Sequence, residues 1–171
     1  PHLGLGLIAS LYLPTTSPTD RFLGEASRGQ SGASGKLVPQ VMGILDKEFG
    51  REGRLRVALN AGIKIRSTET FTNSDPGADN APVTNTSITA GAEIPYGLGI
   101  AYAVARQRFD LVAEVYGALP LGSNEHYMPL EALGGVKLYL ARNSFLSLGA
   151  GRGLLPDKGA NPDFRAMIGI V

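Results

Sequence analysis

The chain has 171 residues, 23 of them glycine, with no cysteine and no tryptophan, and its 16 basic and 15 acidic side chains leave a formal charge of +1. That length fits a single domain. The absence of cysteine excludes a disulfide scaffold, a thiolate metal site and a cysteine nucleophile, and the near-neutral balance argues against nucleic acid as a partner, since phosphate binding wants a basic face.

Charged residues make up only 18% of the chain, against about 25% in soluble domains. No apolar run reaches the roughly 18 residues of a membrane-spanning helix, which leaves strands that cross a bilayer open. Pro1 opens the chain without a signal peptide, which reads as a leader already removed or as an internal fragment.

Hydrophobic alternation at period 2 runs through nearly the whole sequence and predicts eight strands. The first places Leu3, Leu5, Leu7, Ala9, Leu11 and Leu13 on one face and Gly4, Gly6, Ile8, Ser10 and Tyr12 on the other. A polar loop follows at 14–36. Residues 37–48 alternate less cleanly, because Met42 and Ile44 blur the phase that Val41, Leu45, Gln40 and Asp46 define. After a tight turn at 49–53, residues 54–66 set Leu55, Val57, Leu59, Ala61, Ile63 and Ile65 against Arg54, Arg56, Ala58, Asn60, Gly62, Lys64 and Arg66. Such a stretch exceeds the usual globular strand of about 5–6 residues and suits a tilted transmembrane strand of about 9–11.

A second long polar loop is expected at 67–86. Ile94 to Val104 then alternate with Glu93, Gly97, Gly99, Ala101 and Ala103, and a turn at 105–108 leads into Leu111, Ala113 and Val115 against Asp110, Val112, Glu114 and Tyr116. Beyond a loop at 119–129, Leu130 to Leu140 alternate with Glu131, Leu133, Gly135, Lys137 and Tyr139. A turn at 141–144 precedes Leu146, Leu148 and Ala150, and a loop at 154–162 precedes the last strand, with Phe164, Ala166, Ile168 and Ile170 on its apolar side. Long connections alternate with short ones, as in an up-and-down outer-membrane barrel with long loops outside and both termini in the periplasm.

A soluble barrel or sandwich would need a second face rich in Lys, Glu and Thr. Here that face is mostly Gly, Ala and Ser with a few charges, which suits a lumen. A Lys or Arg facing lipid at mid-membrane costs about 2–4 kcal/mol, so the basic residues fix the phase: leucines out, charges in. The expected lumen-lining residues are Arg56, Asn60, Lys64, Glu93, Glu114, Glu131, Lys137 and Arg165, with the cations meeting the carboxylates across neighbouring strands. Arg152 shares the apolar phase but falls near the predicted outer rim.

Asn60-Ala61-Gly62, Glu114-Val115-Tyr116-Gly117, Glu131-Ala132-Leu133, Gly149-Ala150-Gly151-Arg152-Gly153 and Pro162-Asp163-Phe164-Arg165 occur in order along nearly the whole chain. In this the sequence resembles the β-barrel region of OmpA-family outer-membrane proteins of myxobacteria and relatives. The resemblance implies a bacterial outer-membrane location, further strands before this region, and a peptidoglycan-binding periplasmic domain after it.

Other motifs carry less. Ser123, Glu125 and His126 supply triad residue types, but adjacent loop residues rarely converge into triad geometry. Asp75, Asp79 and Asn80 offer oxygen ligands without the spacing of a calcium loop. The glycine-rich segments at 4–9 and 149–153 lack the following helix of a phosphate cradle, and Asn85-Thr86-Ser87 reads as a chance acceptor motif. Glu114 and Glu131 read as structural partners of the lumen cations rather than a catalytic pair. The expectation is a non-enzymatic barrel without cofactor or metal, embedded in outer-membrane lipid, acting as an anchor or scaffold or as a narrow porin. The alternative is a barrel subunit of a surface adhesion, motility or exchange complex that binds a protein partner through its external loops.

Overall fold

A computed structural model describes residues 3–13, 37–75, 84–122, 127–141, 144–158 and 161–171. Among these residues it is all-β apart from one short 3-10 turn at Arg51–Gly53. Eight antiparallel strands form one sheet in the order β1 (Leu3–Tyr12), β2 (Val38–Phe49), β3 (Leu55–Lys64), β6 (Ala92–Ala105), β7 (Phe109–Leu121), β8 (Leu130–Ala141), β9 (Ser144–Gly153) and β10 (Arg165–Ile170). Each pairs with the strand before it, so the sheet runs up and down without crossover. β1 and β10 are its edges, and among the described residues they are not paired with each other.

The segment expected as the polar loop 67–86 instead carries a separate two-stranded hairpin, β4 (Glu69–Asp75) with β5 (Thr84–Ala90). Its sequence is rich in threonine, which favours extended backbone. Its polar residues lack the apolar alternation that marks the other strands. β7 also runs on to Leu121, further than the alternation reaches.

The short connections gather at one end of the sheet and the long ones at the other. The β2–β3 turn takes positive φ at Gly50 (79°), Glu52 (67°) and Gly53 (66°), a conformation that glycine adopts without steric cost. At the β6–β7 turn Gln107 takes φ 57°. At the long-loop end Asn161 ties two connections together. Its amide nitrogen donates to the carbonyl oxygens of Met128, Leu155 and Lys158, and its side-chain oxygen accepts from the Leu130 amide at 2.7 Å.

The register fixes which side chains share a face. One row runs Gly4, Asp46, Ala58, Gly99, Glu114, Leu133, Gly151 and Arg165 from β1 to β10. A row on the other face reads Phe49, Leu55, Tyr102, Leu111, Val136, Leu148 and Ile168. The blurred phase of β2 resolves with Met42 and Ile44 on the polar face, where Gly62 of β3 leaves room for the Met42 side chain: a Cβ there would come to 2.7 Å from its Cγ.

The polar face is concave. Tyr12 near one edge and Arg165 at the other line the same cavity, with Lys64, Glu93 and Glu131 between them. Burial is therefore inverted. Lys64 (2% exposed), Glu93 (4%) and Glu131 (6%) are buried, whereas Leu59 on the opposite face of β3 is 51% exposed. Leu5 on β1 and Ile170 on β10 reach 81% and 73%. Only Lys47 and Arg152 interrupt this apolar face with charge among the described strand residues.

Candidate functional site: the charged interior

All eight residues predicted to line a lumen fall on the concave face; Lys64 and Arg165 meet carboxylates of the expected set, whereas Arg56 and Lys137 do not. Near the long-loop end, Lys64 (β3) and Glu93 (β6) are register partners, with Nζ 3.5 Å from the carboxylate. The same carboxylate accepts from Arg66 Nη2 at 3.1 Å and from the Tyr127 hydroxyl at 3.0 Å. Arg66 also donates from Nη2 to the Tyr127 oxygen at 2.9 Å and from Nε to the Gly91 carbonyl at 2.7 Å. Lys64 lies 5.2 Å from the ring centroid of Tyr12, whose hydroxyl donates to Gln40.

Arg66 and Tyr127 were not among the predicted site residues. Arg66 had the right phase but stood at the last position of its strand. Tyr127 comes from the loop between β7 and β8, whose packing no periodicity reveals. Burial pushes its phenol up to about 12 from the ordinary 10, because the ionised form would lose its water.

Beside this cluster, Arg165 (β10) binds Glu131 (β8) with two bonds, Nε at 2.8 Å and Nη2 at 2.9 Å. Tyr116 on β7 donates to Glu131 at 2.8 Å. Planar two-point geometry of this kind makes an arginine–carboxylate bond both strong and directional. The two clusters line one cavity of about 250 Å³.

Toward the turn end lies a second cavity of about 450 Å³, lined by Arg56, Asp110, Glu114, Lys137, Tyr139 and Met167 among others. Here the expected cross-strand pairs do not form. Arg56 turns to β2, meeting Glu48 at 2.9 Å and Asp46 at 3.4 Å. Both acids lie close across the β2–β3 ladder, and the unclear phase of β2 hid them from the sequence. Lys137 sits over the Phe145 ring, 3.7 Å from its centroid, and 5.2 Å from that of Tyr139. Asp110 accepts from the Tyr139 hydroxyl at 2.9 Å. Glu114 makes no ion pair with another described residue.

Asn60 occupies the middle of the concave face opposite Gly97, where a Cβ would approach the Asn60 side-chain oxygen to 2.8 Å. Glycine at that position is what lets Asn60 lie flat across the neighbouring strand.

No three metal-ligating side chains converge among the described residues. The Ser123–His126 segment, His2, and Asp79 with Asn80 lie outside the described residues. The concave face thus offers paired charges, aromatic faces and small residues. No family model, curated protein or solved structure matches the chain.

Proposed function

We propose that the chain is the transmembrane β-barrel region of a non-enzymatic outer-membrane protein, of the OmpA-like kind its motifs resemble, serving as a membrane anchor or scaffold. The observation that carries this reading is the inverted burial: leucines and isoleucines exposed across one whole face, with lysine and glutamates buried on the other. On a monomer in water the largest apolar patch is about 300–600 Å². A face of eight strands exceeds that, and lipid is the surrounding that stabilises it.

The register supports closure of the sheet. The row that begins at Gly4 on β1 ends at Arg165 on β10. Yet Arg165 shares its cavity with Tyr12, eight residues further along β1. Such a stagger is the shear a small barrel requires. With a rise of about 3.3 Å per residue and about 4.7 Å between strands, a stagger of about eight over eight strands tilts them by roughly 35°, where small barrels close. A barrel of about eight strands is filled by its own side chains, and the buried Lys64–Glu93–Tyr127 group fills this one at its long-loop end. That favours anchoring over passage of solutes, with peptidoglycan engaged by a domain outside this chain.

The test is extraction and gel migration. Expressed in a Gram-negative host, the protein should sediment with outer membrane, need detergent to dissolve, and migrate differently before and after boiling. A monodisperse, detergent-free particle with unchanged migration contradicts the proposal. A second reading, a surface-complex subunit that binds a protein partner, draws on the β4–β5 hairpin at the long-loop end. Its test is deletion of residues 70–89, which should abolish partner capture and leave boiling-dependent migration intact.

A further inference from the structure

We infer that the rim at the short-turn end binds the phosphate groups of anionic phospholipids; this rests on the transmembrane reading above. In and beside the short turns and on the apolar face at that end, the charged side chains described are Lys47, Arg54, Arg106 and Arg108 against Glu52, a surplus of three positive charges (4 − 1). Among the side chains described at the opposite rim, Arg152 and Lys158 balance Asp157 and Asp163. The asymmetry is not absorbed internally. Arg106 pairs with Glu52 at 3.3 Å in an exposed contact, and Asp46 and Glu48 are occupied by Arg56 on the concave side.

Lys47 carries the inference furthest. It points out of the apolar face in the row of Val57, Ile100 and Ala113, where its charge would face acyl chains. Its ammonium does not stay there: it lies 5.1 Å from the ring centroid of Phe49, two residues nearer the turn. A long side chain that lays its stem along apolar surface and carries its charge toward the rim is snorkelling. Phe49 and Tyr102, 41% and 45% exposed, stand in the same outer row and match the aromatic girdle of a bilayer interface. Cations gathered at that level meet lipid phosphates, and anionic headgroups complement the surplus charge.

The experiment reconstitutes the protein in phosphatidylcholine bilayers and compares spin-labelled phosphatidylglycerol with spin-labelled phosphatidylcholine by electron paramagnetic resonance. The motionally restricted fraction reports which lipid associates with the protein. Phosphatidylglycerol should be preferred, with up to about a fivefold loss of preference for each rim cation removed, and raised salt should weaken the preference. The triple variant K47Q/R106Q/R108Q should bind both lipids alike, whereas R152Q at the other rim should keep the wild-type ratio. These side chains are exposed, so boiling-dependent migration should persist and show that each variant is folded. Equal association of both lipids with the wild type, or an unchanged preference in the triple variant, overturns the inference and leaves the transmembrane reading standing. Failure to enter the bilayer overturns both.

Discussion

Replacing Glu93 by glutamine keeps the shape of the side chain and removes its charge. The carboxylate then no longer offsets two cations whose side chains are 2% (Lys64) and 8% (Arg66) exposed. Breaking a buried pair from one side costs about 3–5 kcal/mol, because the surviving charge, here the Lys64 ammonium, stays buried without its counter-charge. Exposed pairs are worth about 0–1 kcal/mol, so Glu48→Gln, which takes one of two acids from an Arg56 that is 56% exposed and leaves it Asp46, serves as the control. With a slope of about 2 kcal/mol per molar urea, E93Q should lower the unfolding midpoint in lipid vesicles by roughly 2 M. E48Q should move it by less than about 0.5 M. Boiling-dependent migration during a urea titration reads both. Removing the Lys64 and Glu93 charges together, as K64M/E93L, should restore part of the loss, because the Lys64 ammonium is no longer left buried without its carboxylate and apolar replacements of buried ion pairs are often neutral. Equal midpoints for E93Q and E48Q would refute the reasoning. So would a double variant as unstable as the sum of its singles.

Three further outcomes follow from the geometry. Because burial raises the Tyr127 phenol to about 12, its neutral form is favoured on folding. That stabilisation is complete below pH 10 and is lost as pH rises through 12, about 2–3 kcal/mol in all. An ultraviolet titration should show a tyrosine component near pH 12 that Y127F lacks. Asn161→Ala removes four hydrogen bonds that hold the loops at the long-connection end; it should speed amide exchange and proteolysis there, at a cost of about 1–3 kcal/mol for the buried groups left unpaired. Gly97→Val should destabilise the sheet through contact with Asn60, and N60G in the same chain should recover most of the loss, read by the same urea titration.

Strand phase was legible in the sequence because one energy term dominates it. Apolar side chains at every second position of β3, with Arg56, Asn60 and Lys64 between them, permit a single orientation. Strand order followed from connection lengths. Partner choice was less legible. Arg56 had acids on its own hairpin that Met42 and Ile44 disguised, since a glycine across the ladder makes room for large apolar side chains on the polar face. Lys137 satisfied its charge over aromatic rings rather than on a carboxylate. Alternation names which residues share a face and says little about which of them touch. Tyr127 reaches the cluster from a connection, where no repeat marks inward from outward. The β4–β5 hairpin escaped for a related reason: strands polar on both faces show no hydrophobic period.

The most direct measurement is a cysteine scan of residues 55–65, which begins from a chain with no native cysteine. Each single-cysteine variant is spin-labelled in lipid vesicles and its collisions with oxygen, which concentrates in the bilayer, are compared with those of a water-soluble nickel complex. The account predicts period-2 behaviour, with labels at 57, 59, 61 and 63 dominated by oxygen and those at 56, 58, 60 and 62 shifted toward nickel or shielded from both. Uniform nickel access along the strand, or the opposite phase, would contradict it.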